Sequence, residues 1–152
     1  MFKMDEKMLD VLQKIGKRMN ENNINWYLIG SGGLYLRNVP GIEKVNDLDF
    51  LVLLNDYEKI KTLFEENLVK EEENDLGKKI ILDVDGVEVE ICGENSEGLY
   101  MRGLDKEKND SVELNGIKVN LFPLEGEEKC YREIGREEKA DLIKSFIESK
   151  KE

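Results

Sequence analysis

The chain has 152 residues, of which 34 are acidic and 23 basic, for a formal net charge of −11 and no histidine at all. The missing histidine excludes any mechanism that needs an imidazole base, nucleophile or metal ligand, and the acidity disfavours a broad footprint on nucleic-acid phosphates. The length suits one domain spanning 1–152, no stretch approaches the ~18 apolar residues of a membrane span, and the charged start "MFKMDEKMLD" lacks a signal-peptide core, so a cytoplasmic protein is expected.

Met4 to Asn20 places Met8, Leu12, Ile15 and Met19 at helical spacing and predicts an amphipathic helix. "NWYLIG" reads as a short buried strand. Gly30 to Gly33 make a turn, and "LYLRN" suits a short helix closed by Pro40-Gly41. "DLDFLVLL", Asp47 to Leu54, is the next strand, with Leu48, Phe50, Val52 and Leu54 on one face and Asp47, Asp49, Leu51 and Leu53 on the other. Its apolar end predicts a central position in the sheet. A helix capped by Asn55 or Asp56 is expected to run to about Lys70, burying Tyr57, Ile60, Phe64 and Leu68. "KKIILDVDGVEVEICG" predicts a hairpin turning at Asp85-Gly86, and "SVELNGIKVNLF" another at Asn115-Gly116, with a polar loop between them. Leu124 to Ile134 reads as a helix stopped by Gly135. Glu137 to Lys150 reads as a last helix with Ala140, Ile143 and Ile147 inward. The order α-β-α-β-α-β-β-β-β-α-α implies a mixed α/β or α+β domain.

Cys92 and Cys130 stand far apart without CxxC spacing and read as two buried thiols. The charged fraction of 38%, mostly Glu and Lys, is a composition common in thermophiles.

The chemistry is carried by three features. Asp47 and Asp49 leave the same face of a strand, roughly 6–7 Å apart at the backbone, and two anions so close repel unless a cation lies between them. Mg2+ suits such a pair, and Mn2+ would serve in its place. An acid on a neighbouring strand would complete the set, with Glu90 the first candidate and Glu88 its understudy. Three carboxylates can hold two Mg2+ ions roughly 4 Å apart, one activating a hydroxyl and one neutralising a triphosphate. Gly30 and Gly32 let backbone N–H groups approach an anion, Ser31 adds a hydroxyl, and a helix opening at Gly32 or Gly33 would turn its positive end to the phosphates. Arg37 and Lys44, between the two motifs, could reach a phosphate.

"IGSGGL…NDLDFLVL" resembles the hG[GS]…Dh[DE]h signature of the nucleotidyltransferase superfamily, the polymerase-beta-like fold. "VDGVEVEICG" and the tail "NGIKVNLFPLEGEEKCYREIGREEKADLIKSFIESKK" are similar to small thermophile proteins of that fold, and the first of them selects Glu90 over Glu88. The resemblance implies a mixed sheet flanked by helices, with two helices at the C-terminus. It also implies transfer of a nucleoside monophosphate from an NTP to an acceptor hydroxyl, with release of pyrophosphate. Gly30 and Ser31 would then hold the β- and γ-phosphates, Asp47 and Asp49 the metals, and Glu90 would be the third acid. Arg136 and Lys139, in "GREEKADLI", match a helix that touches nucleotide in many members. The acceptor is left open, and a dimer could supply the acceptor site that one chain lacks.

Two departures from the family pattern support another reading. The gap between Gly-Ser and the aspartates is longer than in most members, and the third acid is Glu where many have Asp. A catalytically degenerate nucleotide-binding or interaction module of the same fold would fit, including half of a toxin–antitoxin-type pair.

Overall fold

Alternation along one strand divides the molecule. The computed structural model describes residues 4–42, 45–75, 77–104 and 110–151. In β2 (Leu48–Leu53), Leu48, Phe50 and Val52 point to one side of the sheet and are fully buried. Asp49 and Leu51 point to the other.

Among the described residues the sheet has seven strands, in the order β3-β4-β5-β2-β1-β7-β6. They are β1 (Trp26–Ile29), β2, β3 (Leu68–Asn74), β4 (Gly77–Val84), β5 (Val87–Glu94), β6 (Asp110–Leu114) and β7 (Ile117–Leu121). β2 lies antiparallel to β1 and parallel to β5, so it is central as its apolar end requires. The Asp85-Gly86 and Asn115-Gly116 turns close the two expected hairpins, with all four residues at positive φ, as a type I′ turn demands.

The Phe50 side is packed by α1 (Glu6–Glu21) and α3 (Tyr57–Leu63), whose stripes Val11, Leu12, Ile15 and Met19 and Tyr57 and Ile60 join the main core. Asp5 caps α1 by accepting the Met8 N–H at 2.8 Å. A second cluster joins α2 (Gly30–Leu36), α4 (Leu124–Glu133) and α5 (Glu137–Lys150) through Leu34, Tyr131, Ala140 and Ile143, with Ile147 half-buried against it. On the Asp49 side a smaller cluster of Ile29, Leu51 and Phe122 is covered by Tyr100, Met101 and Leu104. Glu94 anchors that cover by accepting the Tyr100 and Met101 N–H groups at 2.9 and 3.0 Å.

Three expectations need correction. The helix after β2 ends at Leu63 instead of about Lys70, and Leu68 opens a strand, β3, that adds one strand to the expected order. Helix-forming Lys and Glu dominate "LVKEEEN", but here their charges pair with neighbours: Glu72 with Lys79 at 3.5 Å and Glu71 with Lys61 at 2.7 Å. Tyr57 also donates to Glu71 at 2.9 Å. A charged strand of this kind is how a sheet edge is kept from pairing with another chain. Finally, α2 begins at Gly30, so the glycine turn is itself the first turn of the helix. No helix among the described residues is long and apolar enough to cross a membrane.

Phe50 lies between Asp49 and Leu51 in sequence but supports only the core side. Phe50→Ala is expected to cost about 3–5 kcal/mol of stability by opening a cavity, read as a lower urea midpoint.

Candidate active site

β5 places its acids by register. Parallel pairing sets Leu48 beside Val89 and Asp49 beside Glu90, so Asp49 and Glu90 share one face of adjacent strands. Asp47 lies just before β2 on the same face. One carboxylate oxygen from each of Asp47, Glu88 and Glu90 lies within 4.8 Å of the others. Glu88 therefore stands with Glu90, although the sequence ranked it second, because the two-residue period of β5 sends both to this side. Asp49 sits deeper, toward the glycine turn: a Cβ on Gly30 would come 2.9 Å from Asp49 Oδ2.

The electrostatics follow from crowding. Burial, then the hydrogen bond with Glu90 and the charge of Asp47, push Asp49 up to about 9. Burial and the charge of Glu90 push Asp47 up to about 6. Glu90 moves the other way, held ionised by its hydrogen bond with Asp49 and by the ammonium of Lys79 at 3.1 Å from its Oε1. Asp49 thus keeps the proton it shares with Glu90. An all-oxygen donor set strained by mutual repulsion fits a hard divalent cation.

Gly30 has φ +74°, a conformation that side chains resist, and Asp49 leaves no room for one. Its N–H is not free for a ligand. Glu127 of α4 takes it, with both oxygens at 3.1 and 3.3 Å. Glu127 is 3% exposed, and burial pushes it up to about 8. The sequence reading missed this residue. Its spacing to Cys130 and Tyr131 puts it on the buried stripe of α4, and an acid on an apolar stripe was the available signal.

Ser31 faces α5. Lys139 donates to Ser31 Oγ at 2.7 Å and lies 5.3 Å from the Tyr131 ring centroid, and Arg136 lies 5.6 Å from the same ring. Burial and Arg136 lower the Lys139 pKa, while Glu127, Asp49 and Asp47 pull it back. Ser31, Lys139 and Arg136 are therefore gathered at one end of the acid face. Gly32 is buried instead: a Cβ there would meet Met4, Leu28 and Leu48 of the core. Arg37 is committed elsewhere, donating to the Phe122 carbonyl at 2.6 Å and pairing with Asp110 at 2.9 Å. Lys44 lies outside the described residues. Both cysteines are free thiols, pushed up to about 12 by burial.

No protein-family model matches the chain, and no curated protein matches it at a significant level. Solved structures do match. A nucleotidyltransferase candidate of Thermotoga maritima, TM1012, is 26% identical, with 94% of each chain covered and a TM-score of 0.67. The lincosamide antibiotic adenylyltransferase LnuA, solved with lincomycin, is 13% identical over 93% of this chain and 97% of its own, with a TM-score of 0.64. ANT(2")-Ia, solved with adenylyl-2"-tobramycin, is 13% identical over 96% of this chain and 99% of its own, with a TM-score of 0.56. The chain has the nucleotidyltransferase fold, and the resemblance read from the sequence is borne out at that level.

Glu127 gives a pH test. Its folded pKa, about 8, lies above the ordinary 4.5. The folded state therefore binds the proton more tightly. That stabilisation is complete below pH about 4.5 and is lost as pH rises through about 8. Between these values one proton difference changes stability by about 1.4 kcal/mol per pH unit. Glu127→Gln should flatten that decline in urea unfolding measured across the range, while still accepting the Gly30 N–H.

Proposed function

We propose that the protein is a Mg2+-dependent nucleotidyltransferase that moves a nucleoside monophosphate from an NTP to an acceptor hydroxyl and releases pyrophosphate. The observation that carries this reading is the placement of Asp49 beside Glu90, with Asp47 on the same face and the Gly30 turn against Asp49. A cation held by Asp47, Asp49 and Glu90, with Glu88 beside them, would neutralise the triphosphate and acidify the acceptor hydroxyl.

The remaining roles belong to the chain's own groups. Lys139 and Arg136 supply positive charge, and Ser31 a hydroxyl, for the β- and γ-phosphates. Glu127 holds the glycine turn in its positive-φ conformation and so positions Ser31. Glu90, ionised, accepts a hydrogen bond from the acceptor hydroxyl and orients it for attack on the α-phosphorus. Lys139 leaves Ser31 for a phosphate oxygen when nucleotide enters. The acceptor is a small hydroxyl compound. The net charge of −11 opposes a long nucleic acid, and the adenylyltransferases of similar fold were solved with small molecules, lincomycin and adenylyl-2"-tobramycin.

One observation favours a second reading, a nucleotide-binding module without turnover: Lys79 already engages Glu90 at 3.1 Å. The two readings part in one experiment. Pyrophosphate release from NTPs with Mg2+ should fall at least about a hundredfold in Asp49→Asn, with the thermal melt retained. Equal turnover in variant and parent would sink the enzyme reading. A Mg2+-dependent thermal shift with ATP, without pyrophosphate release against any acceptor tried, would establish the module.

A further inference from the structure

Lys79 is a charged group that the proposed chemistry does not use. Its backbone on β4 lies opposite Cys92 of β5 and opposite Glu72 of β3. These positions share the face that carries Asp49 and Glu90, since residues in register across a sheet point the same way. Among the described residues the ammonium pairs with two carboxylates. Glu72, directly across the strand pair, has an oxygen at 3.5 Å, and Glu90, on the diagonal, has one at 3.1 Å. Glu72 is also served by Lys70 at 3.0 Å. The side chains of Lys79 and Glu90 are 34% and 20% exposed, so water screens the contact only partly.

An oxygen that accepts from an ammonium is a poorer ligand for a second cation. The lone-pair direction is shared, and two positive charges a few ångströms apart repel. We propose that Lys79 is a resident counter-cation of the acid cluster, occupying Glu90 Oε1 and weakening the hold of Asp47, Glu88 and Glu90 on a divalent ion. The inference rests on the reading of this face as a cation site. Glu72 gives the ammonium a second anionic partner on the same face, toward the exposed edge, so an arriving divalent ion displaces it sideways without leaving it unpaired. Without nucleotide the cluster is already partly neutralised and binds the ion weakly. Bound triphosphate adds its own oxygens and charge, so the ion and the nucleotide enter together.

The test is a Mn2+ titration of nucleotide-free protein at neutral pH, with free ion read by electron paramagnetic resonance. Lys79→Met should bind Mn2+ about tenfold more tightly than the parent, or better, because a nearby like charge has been removed. Lys79→Arg keeps the charge and should stay within about threefold of the parent. Lys78→Met is the control for net charge. That ammonium lies near Glu58 at 3.7 Å and over the Tyr57 ring, away from Glu90, and its loss should leave the affinity unchanged. Parent-like affinity in Lys79→Met, including no binding by either protein, overturns the proposal, and so do equal gains in Lys79→Met and Lys78→Met. Circular dichroism melts check each fold, and Lys79→Gln replaces Lys79→Met if the latter unfolds. Pyrophosphate release is a separate readout: its absence, with the Lys79 effect intact, defeats the enzyme reading and leaves the counter-cation standing.

Discussion

Like charges forced together on a half-buried sheet face are the constraint around which this molecule is arranged. Parallel pairing of β2 with β5 leaves Asp49 and Glu90 no freedom to separate, because backbone hydrogen bonds fix the register that places them. The repulsion is relieved locally. A proton is retained by Asp49, an ammonium comes from the β4 side, and another basic side chain, Lys139, comes from α5. Each is the kind of compensation a buried anion requires. A bound cation would replace some of them.

The framework that holds this face is divided by function. α1 and α3 pack on the opposite side of the sheet, so core packing and site chemistry occupy different layers. α4 and α5 do the reverse: α4 sends Glu127 to the glycine turn, and α5 sends Lys139 to Ser31. The Schellman-type link between them, with Arg136 N–H on the Tyr131 carbonyl at 2.8 Å, fixes the angle at which both helices address the turn.

Much of this was legible in the sequence because it is local or periodic. The D-x-D pattern within an apolar strand, the Asp-Gly and Asn-Gly turns and the stripes of α1 and α5 each express one backbone period or one dihedral requirement. What escaped was non-local. Glu127 sits on the apolar stripe of α4, but its partner could not be read locally: it accepts the Gly30 N–H, a contact spanning most of the chain. β3 escaped for another reason: "VKEEEN" favours helix by propensity, and its pairing with the lysines of β4 and α3 overrides that preference. The helix start at Gly30 was hidden by the same long-range contact, since Glu127 holds the first N–H and stabilises a turn whose own residues are poor helix formers. Glu88, ranked behind Glu90, lies on the same face by the two-residue period of β5, and the fold keeps both.

The charged edge at β3 also has a consequence for how the protein can change. Glu72 helps keep that edge from recruiting another strand, and through Lys79 it is one contact away from Glu90 at the centre of the face. Solubility and ligand chemistry thus share residues. A drift in edge charge that is neutral for aggregation still alters the field at the acids, and surface composition becomes a route by which the site can be retuned without any change inside it.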